Sequence, residues 1–347
     1  MKRILVCTSH VPFVRGGHLV IAENLVQALK EHGFDSDLML TPQNPFGKQI
    51  SAYLATYLTD VSEDGRGRKI DQLITLRFPS YVLRHKTNVV WLNHRMREYY
   101  DLWELFKKNL STKNKIKEML RRFLIHRFDN FFLKKKVTKI FAQSKTVQSR
   151  LRKWGNIYSE VLYPPAPKRK YRTETYENFI FTASRLYFLK RNDLLIESFS
   201  YLKNKEIKAY IAGDGEEREN LKNKIKQKKL ENRVFLLGEI SEEELLNYYS
   251  KSRAIFYAPY LEDFGFVTIE AFSSRKPVIT TFDSGGPSEI VEDGENGFVV
   301  EPDPERIAEK IDYFAENRDE AERMGGKGYK FSKENDWEKV VKKLVIV

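Results

Sequence analysis

Short β-branched runs alternate with longer segments of helical period along almost the whole chain, and this alternation constrains the fold most. In the first half, "GGHLVIAENLVQALKEHG" has apolar residues at helical spacing and ends at Gly33. Strands are predicted around it at Arg3–Cys7, "DSDLML", Asn88–Leu92 and Lys139–Ser144. Strands that alternate with helices are typical of an α/β fold built on a doubly wound parallel sheet.

A proline-rich stretch interrupts the alternation. Pro164, Pro165 and Pro167 lie within "VLYPPAPKRKY" and forbid a helix there. The pattern then restarts with five further predicted strands: "NFIFTAS", "KAYIAG", "RVFLLG", "AIFYAP" and "PVITT". We therefore predict Rossmann-like domains at residues 1–165 and 166–325, facing a central cleft, and a helix within residues 326–347 that packs back toward the N-terminal domain.

Length and composition fit this organisation. The 347 residues suit two domains, and 41% hydrophobic residues are enough for two cores. No apolar run is long enough to span a membrane, and the opening residues are too polar for a signal peptide. The single cysteine, Cys7, lies in a predicted strand, where we expect a buried small side chain. One cysteine allows no internal disulfide, so we expect a cytoplasmic protein.

Positive charge is concentrated in the N-terminal half. Residues 1–165 hold 29 basic and 14 acidic residues, whereas the rest of the chain is slightly acidic. The segment Lys107–Lys139 alone has twelve basic and two acidic residues, with Leu120, Phe123, Leu124, Phe128, Phe131 and Phe132 among them. This segment is either a solvated helix pair with core aromatics or a surface for an anionic partner. Among such partners, an anionic membrane suits it best, because no nucleic-acid-binding motif is found.

Several predicted strand ends in the second half carry residues suited to phosphate binding. Arg185 and Lys190 follow the first of these strands and could bind a diphosphate. Gly213 allows a tight turn after the second strand, where Asp214 can cap the next helix. Gly285 and Gly286, after the fifth strand, could bring backbone N–H groups close to a ligand. Taken singly, each is better explained as an ordinary turn.

The stretch "YLEDFGFVTIEAF" is more specific. Glu262 lies in a loop after a strand, Gly265 lets the chain turn, and a helix is predicted from Phe266 through Ser273. Free N–H groups at that helix start would form an anion site, and Glu270 lies about one turn into the helix. Together these groups suit a nucleotide sugar, which needs N–H donors for its diphosphate and carboxylates for its hydroxyls.

The second half resembles the family-4 retaining glycosyltransferases (glycosyl transferases group 1) of the GT-B fold. The resemblance rests on five pieces in the family's order: Ser184-Arg185-Leu186 with Lys190, Gly213-Asp214-Gly215, Glu262…Glu270 around Phe264-Gly265, Lys276-Pro277-Val278, and Gly285-Gly286 with Glu289. Two looser matches lie in the first half, at Gly16-Gly17 and at His94 in "WLNHR".

The resemblance implies roles for these residues. Arg185 and Lys190 would bind the donor diphosphate, and Glu262 would hold sugar hydroxyls beside the backbone of Phe264, Gly265 and Phe266. Glu270 would hold the ribose, Gly17 would contact the phosphates, and His94 would lie near the transferred sugar. For His94, an ordinary satisfied histidine at a strand end is an equal alternative.

The resemblance also implies a reaction. A UDP- or GDP-linked sugar would pass to an acceptor hydroxyl of a carbohydrate or a lipid-linked molecule, with retained configuration and no cofactor or metal. Fixed cations and N–H groups can stabilise a departing diphosphate without a metal ion. Asp35–Asp37 matches the D-x-D pattern of metal-dependent enzymes, but it begins a strand, so we interpret it as a solvated turn. The alternatives are a sugar-nucleotide epimerase on the same fold and a non-enzymatic protein that binds membranes or nucleic acid.

Overall fold

A computed structural model describes residues 1–12, 16–43, 47–108 and 110–347. Asn109, inside the predicted basic segment, lies outside the described residues. The chain divides into two compact units. The first unit is Met1–Pro164 together with Trp337–Val347, and the second is Pro165–Asp336. The division after Pro164 falls in the proline-rich stretch, and the second unit runs past residue 325, the predicted end of the second domain.

Six parallel strands form the sheet of the first unit, in the order β2-β1-β3-β4-β5-β6. The strands are β1 Arg3–His10, β2 Asp35–Pro42, β3 Gln72–Thr75, β4 Asn88–Leu92, β5 Lys139–Ala142 and β6 Glu160–Val161. The sequence analysis did not predict β3 and β6. Both are short, and the central strand β3 opens on a polar residue, Gln72, which is fully buried.

Within the described residues, the α-helices of this unit are α1 Gly17–Glu31, α2 Gln49–Leu58, α3 Trp103–Lys108, α4 Thr112–Lys135, α5 Lys145–Gly155 and, from the end of the chain, α13 Trp337–Leu344. The Gln72 side chain explains both the polar start of β3 and the place of α13. Its Nε2 donates to the carbonyl of Leu344 (2.7 Å), and its Oε1 accepts from the N–H of Ile346 (3.0 Å). Trp337 packs edge-on against Trp91 of β4. The last helix is therefore part of the first unit.

The second unit repeats the architecture with the strand order β12-β11-β10-β7-β8-β9, again all parallel. Its strands are β7 Phe179–Ala183, β8 Lys208–Ala212, β9 Val234–Gly238, β10 Ala254–Phe256, β11 Val278–Thr281 and β12 Gly297–Val300. The sequence analysis did not predict β12. Strand order reverses between β7 and β10, and ligands of open α/β sheets bind beyond the strand ends at such a switch point.

Seven helices belong to the second unit: α6 Asn192–Ser198, α7 Arg218–Gln227, α8 Glu242–Lys251, α9 Phe266–Ser273, α10 Gly286–Ile290, α11 Pro304–Glu316 and α12 Arg318–Glu334. Helix α12 continues through Gly325, past the predicted domain end. A Cβ at Gly325 would lie 2.0 Å from the carbonyl oxygen of Arg275, so this glycine lets α12 approach the end of α9 closely. Within the described residues, no helix combines the length and apolarity that crossing a bilayer requires.

Candidate functional site

The loops on either side of the switch point in the second unit carry most of the predicted site residues. The loop after β7 ends in a 3-10 turn at Phe188–Lys190, and the loop after β10 runs from Tyr257 to Gly265, where α9 begins. The two loops are joined by the backbone N–H of Tyr260, which donates to the carbonyl of Leu189 (2.7 Å). The fold therefore brings Lys190 and Glu262 together, although they are far apart in sequence.

Lys190 and Glu262 form an ion pair. The Nζ of Lys190 donates to Oε2 of Glu262 at 2.6 Å and to the hydroxyl of Tyr257 at 3.1 Å. Each side chain of the pair is about one-fifth exposed, so the pair is only partly shielded from solvent. Because a carboxylate has two oxygens, Glu262 can hold Lys190 through one and accept hydroxyl groups at the other. The sequence did not point to Tyr257, which directly follows β10.

The surroundings of this pair keep its lysine charged. Burial alone would lower the pKa of Lys190, but the carboxylate of Glu262 and the oxygen of Tyr257 outweigh that effect and raise it above its ordinary value. Burial, and then the charge of Glu262, raise the pKa of Tyr257, so this phenol stays protonated. The site thus presents a fixed positive charge at neutral pH.

Arg191, which the sequence analysis missed, holds these loops in place. Its guanidinium donates to both carboxylate oxygens of Asp283 (2.8 and 2.7 Å), to the hydroxyl of Thr281 (2.7 Å), and to the carbonyls of Ala258 (2.8 Å) and Pro259 (2.9 Å). One side chain therefore ties the segments after β10 and β11 to the segment that carries Lys190. Its place next to Lys190 was the only sequence signal for this role.

Glycines bring the loop before α9 and the loop after β11 into backbone contact. The N–H of Gly286 donates to the carbonyl of Glu262 (3.0 Å), and the N–H of Glu262 donates to the carbonyl of Ser284 (2.8 Å). A Cβ at Gly286 would lie 2.4 Å from the Cα of Phe264, and one at Gly285 would lie 2.4 Å from the carbonyl oxygen of Glu262. The predicted donor-binding residues Phe264, Gly285 and Gly286 thus shape the loop that carries Glu262.

Helix α9 begins at Phe266, as predicted, after Gly265 in a left-handed conformation (φ 83°). No side chain caps this helix start, so its first N–H groups are the kind of donors that bind anions. Phe264 is buried and packs against the ring of Phe266, which fixes the approach to the helix. The helix start thus lies where it was predicted, and anion binding by its N–H groups stays a prediction.

Glu270 lies on the buried side of α9, not at its solvent edge. One of its oxygens accepts from Arg169 and from the hydroxyl of Tyr171 (3.3 Å), and the other accepts from the hydroxyl of Tyr249 (3.0 Å). Burial raises the pKa of Glu270, and the nearby Arg169 opposes that rise. Sequence analysis missed all three donors, two of which lie at the end of the proline-rich stretch. The ribose contact of Glu270 stays a prediction.

The remaining predicted donor residues of the second unit form one supported loop. Arg185 is exposed, with its guanidinium near the ring of Tyr187. The neighbouring N–H of Leu186 donates to the carbonyl of Asp214 (2.9 Å), and a Cβ at Gly213 would collide with the carbonyl of Ser184. Gly213 and Asp214 therefore support the backbone beside Arg185.

The capping role predicted for Asp214 is wrong. Its carboxylate accepts from the N–H of Gly215 (2.7 Å), and the following helix, α7, begins only at Arg218. The glycine turn is longer than the sequence analysis assumed, so Asp214 lies too far from the helix start to cap it.

Gly17 and His94 lie in the first unit. Gly17 is the first residue of α1, and His94 follows β4. Burial, then the charges of Arg77, His94 and His10, lower the pKa of His18 to about 3, so these basic groups are close together. The structure thus places the start of α1 and His94 in one basic cluster at the carboxyl ends of β1, β3 and β4. The sequence analysis did not identify His10, His18 and Arg77.

Asp35 and Asp37 lie at the opposite, amino-terminal end of their strand. Asp35 pairs with the guanidinium of Arg3 (2.9 Å), and the carboxylate of Asp37 accepts from the N–H of Leu38 (2.8 Å). Both residues belong to β2 and pair with β1, so the interpretation of this D-x-D sequence as a turn is wrong.

Comparisons with known proteins agree with this geometry. Residues 166–331 match the family model described as glycosyl transferases group 1. An uncharacterized glycosyltransferase of Methanocaldococcus jannaschii is 30% identical over 204 residues, which cover 58% of this chain and 57% of the relative. The chain therefore spans little more than half the length of that relative.

Solved structures match nearly the whole chain. Sucrose-phosphate synthase from Thermosynechococcus elongatus superposes with a TM-score of 0.78 at 16% identity, covering 99% of this chain and 97% of the other. Anabaena HepE, solved in complex with UDP and glucose, superposes with a TM-score of 0.70 at 16% identity, covering 99% and 98%. These matches confirm the predicted fold, two Rossmann-like domains of the GT-B type. Residues 166–331 thus match the glycosyl transferases group 1 family, and the chain has a GT-B fold.

Proposed function

We propose that this chain transfers a sugar from a nucleotide-sugar donor to an acceptor hydroxyl. The Lys190–Glu262 pair beside the start of α9 is the observation that carries the proposal. It sets one fixed cation, one carboxylate and uncapped helix N–H groups at the switch point of a parallel sheet. A diphosphate matches the cation and the N–H groups, and sugar hydroxyls match the carboxylate.

The proposed mechanism stabilises the leaving group. As the bond from the sugar to the diphosphate breaks, negative charge grows on the phosphate oxygens. Lys190, the exposed Arg185 and the N–H groups at the start of α9 are placed to stabilise that charge. Because these donors need no metal ion for this task, we propose metal-independent transfer. We also propose retention, with the acceptor hydroxyl attacking on the face that the nucleotide leaves.

UDP is the nucleotide that we propose first. The solved relative HepE is described in complex with UDP and glucose, and the group 1 family model covers the corresponding half of this chain. Glu270 is the proposed ribose partner. Arg169, Tyr171 and Tyr249 already fix its carboxylate, and a fixed acceptor loses little entropy when it binds two vicinal hydroxyls.

The first unit is the proposed acceptor side. In its cluster of His10, His18, Arg77 and His94, the permanently charged guanidinium of Arg77 would favour an acceptor that carries phosphate or another anionic group, whereas the lowered pKa of His18 keeps that imidazole neutral. A carbohydrate or a lipid-linked sugar with such a group fits this requirement. Gly17 and His94 would then meet the donor's phosphate and sugar from the acceptor side.

Thermal unfolding with a nucleotide panel tests the donor site. UDP, GDP and ADP would be added, with and without EDTA, to wild type and to two variants of equal charge change, Arg185→Gln and Arg306→Gln. Arg306 is exposed and pairs locally with Glu309, so it is a matched control. A ligand at one hundred times its Kd stabilises the folded state by about 2.7 kcal/mol.

We expect one nucleotide to raise the unfolding temperature of wild type and of Arg306→Gln, and to raise that of Arg185→Gln much less. A folded wild-type protein that responds to none of the three nucleotides would contradict the proposed donor site. A shift that disappears with EDTA would contradict metal independence.

A further inference from the structure

Helix α4 buries carboxylates and exposes apolar side chains, which is the reverse of an ordinary surface helix. Its buried residues are Glu118, Ile125, Asp129 and Leu133. The fully buried Asp129 accepts hydroxyl groups from three tyrosines, Tyr53, Tyr81 and Tyr100 (2.5 and 2.6 Å for the last two). Glu118 accepts from the hydroxyl of Tyr99 (2.7 Å) and pairs with Arg121. These contacts fix which face of α4 points to solvent.

The outward face of α4 carries large apolar side chains. Four of them follow helical spacing over two turns and are more than half exposed: Ile116 (68%), Met119 (59%), Leu120 (63%) and Phe123 (57%). Phe128 and Phe131 continue the face at 41% and 50%. The structure therefore excludes the interpretation of Leu120, Phe123, Phe128 and Phe131 as core residues. Of the six predicted residues, Leu124 and Phe132 are partly buried.

Helix α2 extends this apolar face. Tyr53 and Tyr57 of α2 contact Phe128 and Phe132 of α4, with ring centroids 5.8 and 5.7 Å apart. The sequence of α2, "QISAYLATYL", contains no charged residue. Its exposed large apolar side chains are Ile50, Leu54, Tyr57 and Leu58. We call these four residues, with Ile116, Met119, Leu120, Phe123, Phe128 and Phe131, the α2–α4 surface.

Positive charge flanks the α2–α4 surface. Helix α4 has two acidic residues, Glu118 and Asp129, and both are buried, so every exposed charge on this helix is positive. The exposed cations of α4 are Lys113, Lys117, Arg127, Lys134 and Lys135. Apolar side chains alone would suit many partners, but apolar side chains together with exposed cations on one helix match anionic headgroups above acyl chains.

We propose that the α2–α4 surface docks the first unit on an anionic bilayer. The apolar side chains enter the headgroup region, and the flanking lysines and arginines contact lipid phosphates. A second copy of the chain fits less well, because a two-fold contact would bring two sets of like charges together. Nucleic acid would pair with the cations but would leave the aliphatic residues exposed. This docking does not depend on the donor site, which lies in the second unit.

Vesicle sedimentation of the full chain tests the proposal. One set of vesicles is phosphatidylcholine alone, and the other is phosphatidylcholine and phosphatidylglycerol in equal parts. The apolar variant is Leu120→Ser with Phe123→Ser, and its control is Tyr158→Ser with Tyr201→Ser, two exposed apolar side chains outside the surface (77% and 53%). The charge variant replaces Lys113, Lys117 and Lys134 with Gln. Its control replaces three other exposed lysines with Gln: Lys222 and Lys226 of α7, and Lys228, which directly follows α7.

We expect wild type and both controls to bind the anionic vesicles at low salt, and to bind less as salt is raised. The apolar and charge variants should each bind at least about tenfold more weakly. A wild type that stays in the supernatant, or a control that weakens binding as much as its matched variant, would overturn the proposal. So would tighter binding to duplex DNA than to vesicles, or a dimer that only the apolar variant dissociates.

The same samples separate this proposal from the donor site. The nucleotide-induced thermal shift should be unchanged in the apolar and charge variants, because their substitutions all lie in the first unit. If vesicle binding fails while the thermal shift persists, only the docking proposal is overturned. If vesicle binding succeeds while no nucleotide gives a thermal shift, only the donor-site proposal is overturned.

Discussion

The Lys190–Glu262 pair predicts a measurable coupling in a double-mutant cycle. The perturbations are Lys190→Met, Glu262→Gln and the two together. Each single change leaves one charged or polar group in a pocket that was built for its partner, whereas the double change removes both. We therefore expect the double variant to be more stable than the sum of the two single losses implies.

The magnitude follows from the geometry. At 2.6 Å and an effective dielectric constant of about 20, the attraction of two unit charges is about 6 kcal/mol. The cost of removing the two groups from water offsets part of this attraction. This desolvation cost is smaller than for a fully buried pair, because each side chain remains about one-fifth exposed. We expect a coupling energy of about 2–3 kcal/mol, and a loss of about 2–4 kcal/mol for each single variant.

The assay must report on the second unit. All four tryptophans, Trp91, Trp103, Trp154 and Trp337, lie in the first unit. Urea unfolding followed by far-UV circular dichroism at neutral pH should therefore show the destabilised second unit, whereas the tryptophan transition should move little. The cycle is analysed on the circular dichroism transition of the second unit alone, because a two-domain chain need not unfold in two states.

Two results would refute this reasoning. A coupling energy below about 0.5 kcal/mol would mean that the pair interacts no more strongly than an exposed surface ion pair. Single-variant losses that appear only in the tryptophan transition would mean that the pair does not stabilise the unit that contains it.

Three further predictions concern stability. Gly286→Ala should lower the free energy of unfolding by about 1–3 kcal/mol, because its Cβ would lie 2.4 Å from the Cα of Phe264. Gly326→Ala, with open space around it in α12, should raise the free energy of unfolding by about 0.5–1 kcal/mol. The midpoints of urea unfolding compare the two variants. Burial lowers the pKa of Lys276 from 10.5 to about 7. Its unfolded form therefore binds the proton more tightly, and stability falls as pH drops from 10.5 toward 7. Between about pH 7.5 and 9.5 wild type should gain about 2–3 kcal/mol, a gain that Lys276→Met should lack in urea unfolding at both pH values. Asp129→Ala should cost at least about 3 kcal/mol, seen by tryptophan fluorescence, because three buried hydroxyls lose their acceptor; Asp129→Asn, which keeps an acceptor oxygen, should cost less.

Elements with a strong local pattern were predictable from the sequence. Strand β4 has the predicted bounds, Asn88–Leu92, and α9 runs from Phe266 to Ser273 as predicted. Strand β3 was not predictable, because its first residue, Gln72, is a polar side chain whose partners come from the other end of the chain. Local periodicity carries no information about a hydrogen bond across that separation.

The candidate site shows the same division. Lys190 and Glu262 could be named from their places after strands, because parallel strands end at one edge of a sheet. Arg191 and Tyr257 could not be identified from the sequence, because other arginines and tyrosines of the chain occupy similar positions after turns and strands. Their roles come from several backbone and side-chain contacts that only the folded loops bring together.

The place of α13 in the first unit has a consequence for synthesis on the ribosome. Gln72 and Trp91 emerge early, but the helix that contacts them is made only after the whole second unit. Until the end of the chain is made, the Gln72 side chain of the nascent first unit lacks its hydrogen-bond partners Leu344 and Ile346. The second unit can complete its own fold during this time. Pulsed proteolysis of stalled chains should find the second unit protected before the first.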